Sequence, residues 1–349
     1  MTALAETVAN QGAVLRHALE LDLEAAAAKL AGAERVWLVG TGTSEHAALL
    51  GAAMLTSAGL DGRAVSGQGF IVAPPRLGLG DAVIVISHTA TTTFARQARE
   101  EAFAAGARVI SITGEGKGWP EAIEAAPPER SETYTASYLA ALLVLARLAA
   151  ELGGREPAAA QSGPINTGNG DPGAPAAALD AEARRSAAAA FDATSLAALP
   201  ALVEAAAAEP TLIERPPPRL TVLFGAGPAA VTAREGALKL REASRVLAEG
   251  FESEYLLHGS AVPLTEDDHL IALDPDGDPT GLTAEVARAG EHEGIAVTRL
   301  APPPDLPPLL AQLPLTARLQ SLASDWADLR TVDPDTVITG AWAAESFWA

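Results

Sequence analysis

A chain of 349 residues, 48% of them hydrophobic, is long enough for two domains with separate cores, and its lack of cysteine excludes disulfides, thiolate metal sites and a cysteine nucleophile. The formal net charge of −20, from 44 acidic against 24 basic side chains, repels nucleic acid and anionic membranes, so neither is an expected partner. The chain does not open on a basic segment followed by an apolar core, and its long alanine-rich runs carry charges, so a cytoplasmic protein is expected.

Residues 1–33 read as helix, because Leu4, Val8, Leu15, Leu19, Leu23 and Leu30 recur at roughly helical spacing. Arg35 to Val39 is a short apolar run that ends in Gly40-Thr41-Gly42-Thr43-Ser44, and a helix pattern resumes from Glu45 to Ser57. Ala82 to Ile86 is β-branched and continuous, the mark of a strand buried on both faces. It runs into Ser87-His88-Thr89-Ala90-Thr91-Thr92-Thr93, then a helix from Phe94 to Ala105, a strand from Arg108 to Ile112 and a long helix from Glu132 to Leu152. Gly153 to Pro175 is rich in Gly, Pro, Asn and Ser without periodicity and reads as a linker.

The pattern then restarts. Arg35 to Gly42 (RVWLVGTG) returns loosely as Leu220 to Gly227 (LTVLFGAG), followed by a helix from Ala229 to Leu247. Strands are expected at His269 to Leu273 and Ala296 to Leu300, and a last helix from Leu306 to Trp326. Strands alternating with helices predict an α/β protein with doubly wound parallel sheets. The expected division is a helical segment (1–33), a first domain (34–152), a linker (153–180) and a second domain with its tail (181–349). The tail carries Trp342 and Trp348, which are expected to pack on the body or on a partner, since exposing both indoles is costly.

In such sheets ligands sit beyond the carboxyl ends of the strands. Thr43 and Ser44 after the first strand, and Ser87, Thr89, Thr91, Thr92 and Thr93 after the strand at 82–86, put hydroxyls at helix N-termini, where backbone N–H groups and the helix dipole favour an anion; His88 sits among them as a further candidate for the pocket. Neither loop holds Lys or Arg, which suits a sugar phosphate, although plain N-capping explains the same hydroxyls. Glu235, Lys239 and Glu242 fall on one helix face, and His258 follows 16 residues later. An acid, an amine and an imidazole form a plausible proton-transfer set. The same spacing also fits a solvated ladder of charge pairs with a structural histidine. The six histidines form no metal-spaced pair, so no metal and no cofactor are expected.

Taken in order, these segments resemble the sugar isomerase (SIS) family in its two-domain form, over about Arg35 to Asp335. Gly42-Thr43-Ser44 is similar to the family's G-T-S loop. Ser87-His88-Thr89-Ala90-Thr91-Thr92 is similar to its S-Q-S-G-E-T phosphate loop, and Ser131 to Thr135 to its S-T-K-A-F-T helix start. Glu235 to Glu242 (EGALKLRE) is close to E-G-A-L-K-L-K-E, and Leu257-His258-Gly259 resembles the K-H-G step. The resemblance implies two tandem SIS domains, flavodoxin- or Rossmann-like. It also implies a phosphosugar isomerase acting on a hexose or amino-hexose 6-phosphate, or a deaminase or deglycase of such a sugar. Ser44, Ser87, Thr89 and Thr92 would hold the phosphate. Glu242 would move the proton between C1 and C2 through an enediol with Lys239 assisting, and His258 would open the ring from the other subunit of a homodimer.

Several positions depart from the family's pattern. His88 replaces its Gln, Ala90 its Gly and Tyr255 its Glu, and the tail from Asp335 to Trp342 has no lysine. Neither a glutaminase domain nor a cysteine is present, so glutaminase activity is not expected. A non-catalytic sugar-phosphate sensor is the alternative these departures favour.

Overall fold

The computed structural model describes residues 1–153 and 191–344; most of the expected linker, and Trp348, lie outside them. Strands β1 (Arg35–Gly40), β2 (Gly62–Ser66), β3 (Asp81–Ile86), β4 (Arg108–Gly114) and β5 (Ala122–Ala126) form one sheet in the order β2-β1-β3-β4-β5. Strands β6 (Thr221–Gly225), β7 (Ala248–Glu252), β8 (His269–Leu273) and β9 (Ala296–Leu300) form a second in the order β7-β6-β8-β9. Every ladder is parallel. The four strands of the second sheet thus repeat the order of the first four strands of the first, as the return of the sequence pattern at Leu220 anticipates. The order is the flavodoxin-like one, with its switch point between β1 and β3 and again between β6 and β8.

The helices are α1 (Ala3–Ala9), α2 (Gln11–Glu20), α3 (Glu24–Leu30), α4 (Thr43–Ser57), α5 (Gly67–Val72), α6 (Thr93–Ala104) and α7 (Ala136–Gly153) in the first half. Among the described residues of the second half, the longer helices are α8 (Ala193–Ala208), α9 (Pro228–Ser244), α10 (Leu282–His292) and α11 (Pro308–Arg330). β3 is buried at every position because helices cover both faces of its sheet. Ala82, Ile84 and Ile86 join one core with α2, α4 and α7, while Val83 and Val85 join a second with α6.

The expected N-terminal helix is three helices, broken at Asn10 and again at Leu21, whose backbone is extended. The breaks let one segment serve two cores. Leu4 and Val8 pack under the second sheet, while Val14, Leu15 and Ala18 pack under the first. α7 starts at Ala136, not Glu132, because the residues before it bind the tail: the hydroxyls of Ser131 and Thr133 both donate to the Pro334 carbonyl. α9 stops at Ser244, short of Leu247, where Arg245 turns left-handed at φ 55°. α7 is long and apolar enough to cross a membrane, but 78% of it is buried within the fold, as expected of a core helix.

Candidate active site

The two switch-point loops of the first sheet open side by side. After β1, Gly42 takes φ 58° at the N-cap of α4, a conformation that only glycine adopts cheaply. After β3, Ser87 is buried and its Oγ donates to Thr92 Oγ1 at 3.4 Å. Thr92 is the N-cap residue of α6 but makes no side-chain capping bond there. Thr89 Oγ1 accepts from the amide and hydroxyl of Thr91, at 3.3 and 2.8 Å. Ala90, where the family pattern has glycine, holds the left-handed φ of 57°. Ser87, Thr89 and Thr92 therefore gather around the start of α6, and Ser44 lies in the first turn of α4.

The other two predicted phosphate residues turn elsewhere. Thr43 donates its hydroxyl to Glu235 Oε1 at 3.2 Å. The His88 ring packs on Tyr134 with centroids 5.3 Å apart, and its Nε2 accepts from the Glu129 amide at 3.4 Å. Burial lowers the His88 pKa, with Glu129 partly opposing it, so the imidazole is neutral at pH 7.

The charged face of α9 is not a solvated ladder. Glu235 and Lys239 are buried at 0% and 1% exposure. Lys239 Nζ donates to Glu242 Oε2 at 2.5 Å and to the Tyr134 carbonyl at 3.0 Å, and lies 3.6 Å from Glu235 Oε1. Burial works against the ammonium, but the carboxylates of Glu242 and Glu235 outweigh it and raise the Lys239 pKa. Burial likewise works against the Glu235 carboxylate. The Lys239 charge, the His46 Nδ1 hydrogen bond at 2.6 Å and the Thr43 hydroxyl outweigh that burial, and the Glu235 pKa falls. Removing one member of such a set would strand a buried charge, at about 3–5 kcal/mol.

α4 of the first domain thus supplies Thr43 and His46 to a carboxylate on α9 of the second, and the site sits on that seam. Tyr134 carries the connection onward, meeting the β3–α6 loop with its ring and Lys239 with its carbonyl. Glu129 fixes this loop by accepting from the Thr135 and Ser137 amides at 3.0 and 2.8 Å, capping α7. The sequence marks Glu235 on its helix face but does not pair it with His46, since their contact spans 189 positions, and it gives no sign of Glu129.

Glu242 faces outward from the set. It borders a cleft of about 250 Å³ with Arg241, Arg245, Val337, Ile338, Thr339 and Trp342. Trp342 is 76% exposed along that rim, so of the two expected covers for its indole, the body or a partner, the body of the same chain leaves it largely open. His258 does not join the set within one chain. It lies on an irregular turn where Gly259 takes φ 113°; its side chain is 74% exposed and 3.9 Å from Glu254. Among the described residues, no three His, Asp or Glu side chains converge as a metal site.

No protein-family model matches the chain, and no curated protein matches its sequence. Solved structures do match. The C-terminal domain of glucosamine-fructose-6-phosphate aminotransferase from Francisella tularensis superposes with a TM-score of 0.69 at 16% identity, over 96% of this chain and 98% of that one. Glucosamine-6-phosphate deaminase from Thermotoga maritima gives 0.69 at 18%, over 96% and 97%. Tagatose-6-phosphate ketose/aldose isomerase from Escherichia coli gives 0.70 at 16%, over 98% and 97%. The chain therefore has the two-domain fold of the sugar isomerases, along essentially its whole length.

Proposed function

We propose that the protein is a phosphosugar isomerase of a hexose or amino-hexose 6-phosphate, or a deaminase or deglycase of such a sugar. The observation that carries this reading is the Glu242–Lys239 pair. It is held at 2.5 Å, with Lys239 buried and Glu242 partly open to a cleft, and Tyr134 links it to the hydroxyl loop. In this reading Ser44, Ser87, Thr89 and Thr92 and the N-terminus of α6 hold the phosphate. Glu242 takes the proton from one of C1 and C2 and returns it to the other, and the neighbouring ammonium of Lys239 offsets charge that develops on the enediol oxygen. Two chains associate so that the partner's His258 completes each site and opens the ring. The exposure of His258, and of Tyr255, Leu257 and Val262 around it, supports that association. The fold resemblance and the apolar core role of α7 fit a cytoplasmic enzyme of carbohydrate metabolism.

One observation favours a sensor instead: the Ser131 and Thr133 hydroxyls are occupied by the tail, and that tail has no lysine. The substitution Glu242→Gln separates the two readings. For an enzyme, turnover falls at least about 100-fold, while hexose 6-phosphates still raise the melting midpoint, because the phosphate loop is untouched. A wild-type protein that binds but never turns over any of these sugars is a sensor. One that shows no midpoint shift with any of them is neither.

A further inference from the structure

Glu235 is the member of the α9 set to which the reading above gives no task. Its carboxylate is fully buried and its pKa is held down, so it is ionised at pH 7 and can only accept. Among the described residues three groups meet it. His46 Nδ1 therefore carries the hydrogen and donates to Oε2 at 2.6 Å, the Thr43 hydroxyl donates to Oε1 at 3.2 Å, and Lys239 Nζ lies 3.6 Å from that same Oε1. Lys239 is thus shared unequally: it is bound to Glu242 at 2.5 Å and only borders Glu235. Two donors from α4 allow that inequality. Without them Lys239 is the single partner left to Glu235, and a buried carboxylate short of donors draws the nearest ammonium to itself. Nζ then moves toward Glu235 and away from Glu242. The two donors share one face of one helical turn, since Thr43 opens α4 and His46 follows at i+3. Ser44 is turned about 100° round the helix from Thr43 and makes no hydrogen bond to Glu235.

We propose that His46 and Thr43 are positioning residues: by satisfying Glu235 from the first domain, they leave Lys239 bound to Glu242 and hold the second domain's proton-transfer pair in its working geometry. The inference rests on the sugar-phosphate enzyme reading and adds a division of labour within α4. Ser44 is left for the phosphate, while Thr43, a phosphate candidate by sequence, is spent on Glu235. One rigid helix then serves both the anchored end of the sugar and, through Glu235 and Lys239, the carboxylate at its reacting end. The precision matters, because a misplacement of about 1 Å at a reacting group can cost about 100-fold in rate, and that is the scale on which Lys239 shifts if Glu235 loses its other donors.

Steady-state kinetics on a hexose 6-phosphate that the wild type turns over, with kcat and KM read separately, tests it. His46→Leu fills the space without a donor; kcat falls about 10- to 100-fold and KM stays within about twofold. His46→Asn, whose amide nitrogen takes the place of Nδ1, restores most of kcat. Thr43→Val keeps the shape of the side chain and removes its hydroxyl, and it too lowers kcat, by less, with KM unchanged. Ser44→Ala does the opposite, raising KM with kcat near the wild-type value. Any one of three results overturns the inference. His46→Leu with a lowered melting midpoint and wild-type kcat means that His46 only joins the two domains. A loss in His46→Leu that His46→Asn does not restore means that the bond to Glu235 is not its cause. Thr43→Val with a raised KM and unchanged kcat returns Thr43 to the phosphate, and this variant decides alone if His46→Leu does not fold. If the wild type binds these sugars without turning any over, or binds none, the enzyme reading itself fails and takes the inference with it.

Discussion

In the first sheet the loop after β3 brings Ser87, Thr89 and Thr92 to the start of α6. In the second sheet, the equivalent loop after β8 brings Asp278 to the start of α10. One Asp278 oxygen accepts from the amide and hydroxyl of Thr280 at 2.9 and 2.7 Å, and the other from those of Thr283 at 2.8 and 2.7 Å. The loops after the first strand of each sheet differ in the same sense. The first reads Gly40-Thr41-Gly42-Thr43-Ser44, whereas the second reads Gly225-Ala226-Gly227-Pro228-Ala229 and offers no hydroxyl. A helix N-terminus at a switch point favours negative charge in either sheet. One copy of the topology fills that position with its own carboxylate; the other surrounds it with neutral donors. The repeat of the fold is therefore not a repeat of the site, and the second half contributes its α9 instead.

Three measurements break or sharpen this contrast. The largest effect is expected at Asp278. Burial opposes its charge, but the hydroxyl and amide bonds from Thr280 and Thr283 outweigh it and hold its pKa at about 2 against the ordinary 3.8. Because the folded value is the lower, its contribution is fully present above pH 3.8 and is lost as the pH falls toward 2, a matter of about 2 kcal/mol. Asp278→Ala should cost a similar amount in urea unfolding at pH 7 and little at pH 2, with hexose 6-phosphate affinity unchanged. A loss of affinity would show that the second sheet also takes part in binding.

Ser87→Ala should have the opposite profile: unfolding nearly as in wild type, and hexose 6-phosphate binding about tenfold weaker by calorimetry, the cost of one hydrogen bond to a charged group. Equal binding would remove this loop from the phosphate site. The smallest effect is expected at Ala90, whose φ of 57° is costly for any side chain with a Cβ. Ala90→Gly should stabilise the fold by about 0.5–1 kcal/mol after the greater freedom of glycine in the unfolded chain is counted. Destabilisation would mean that the buried methyl packs better than the backbone strains.

What the sequence discloses follows from burial. The interior strands β1, β3, β4, β6 and β8 are apolar on both faces and stand out as continuous runs. β2, β5, β7 and β9 lie at sheet edges and are short and half-exposed or more; of these only β9 is anticipated, and the others carry no such run. α10 is missed although it buries one face through Thr283, Val286, Ala287 and Gly290. The hydroxyl loops and the α9 face are legible because each lies within one stretch of chain. The pairing of His46 with Glu235, and the meeting of Glu242 with the tail, depend on two elements packing together, and no local pattern records them. Thr43 illustrates the limit: its position at a strand end suits an anion, but its hydroxyl is taken by a carboxylate from the other domain.

The tail that rims the cleft also reaches the opposite end of the chain. Asp335 accepts from the amides of Ala3 and Leu4, both at 2.8 Å, while Thr2 accepts from Ala5. The opening turn of α1 therefore has donors that are met only by a residue made more than three hundred positions later. Thr2 caps the helix locally, but the Ala3 and Leu4 amides meet their carboxylate only once Asp335 has been made and has folded back. A change at Asp335 should therefore betray itself at residues 3 and 4, more than three hundred positions away.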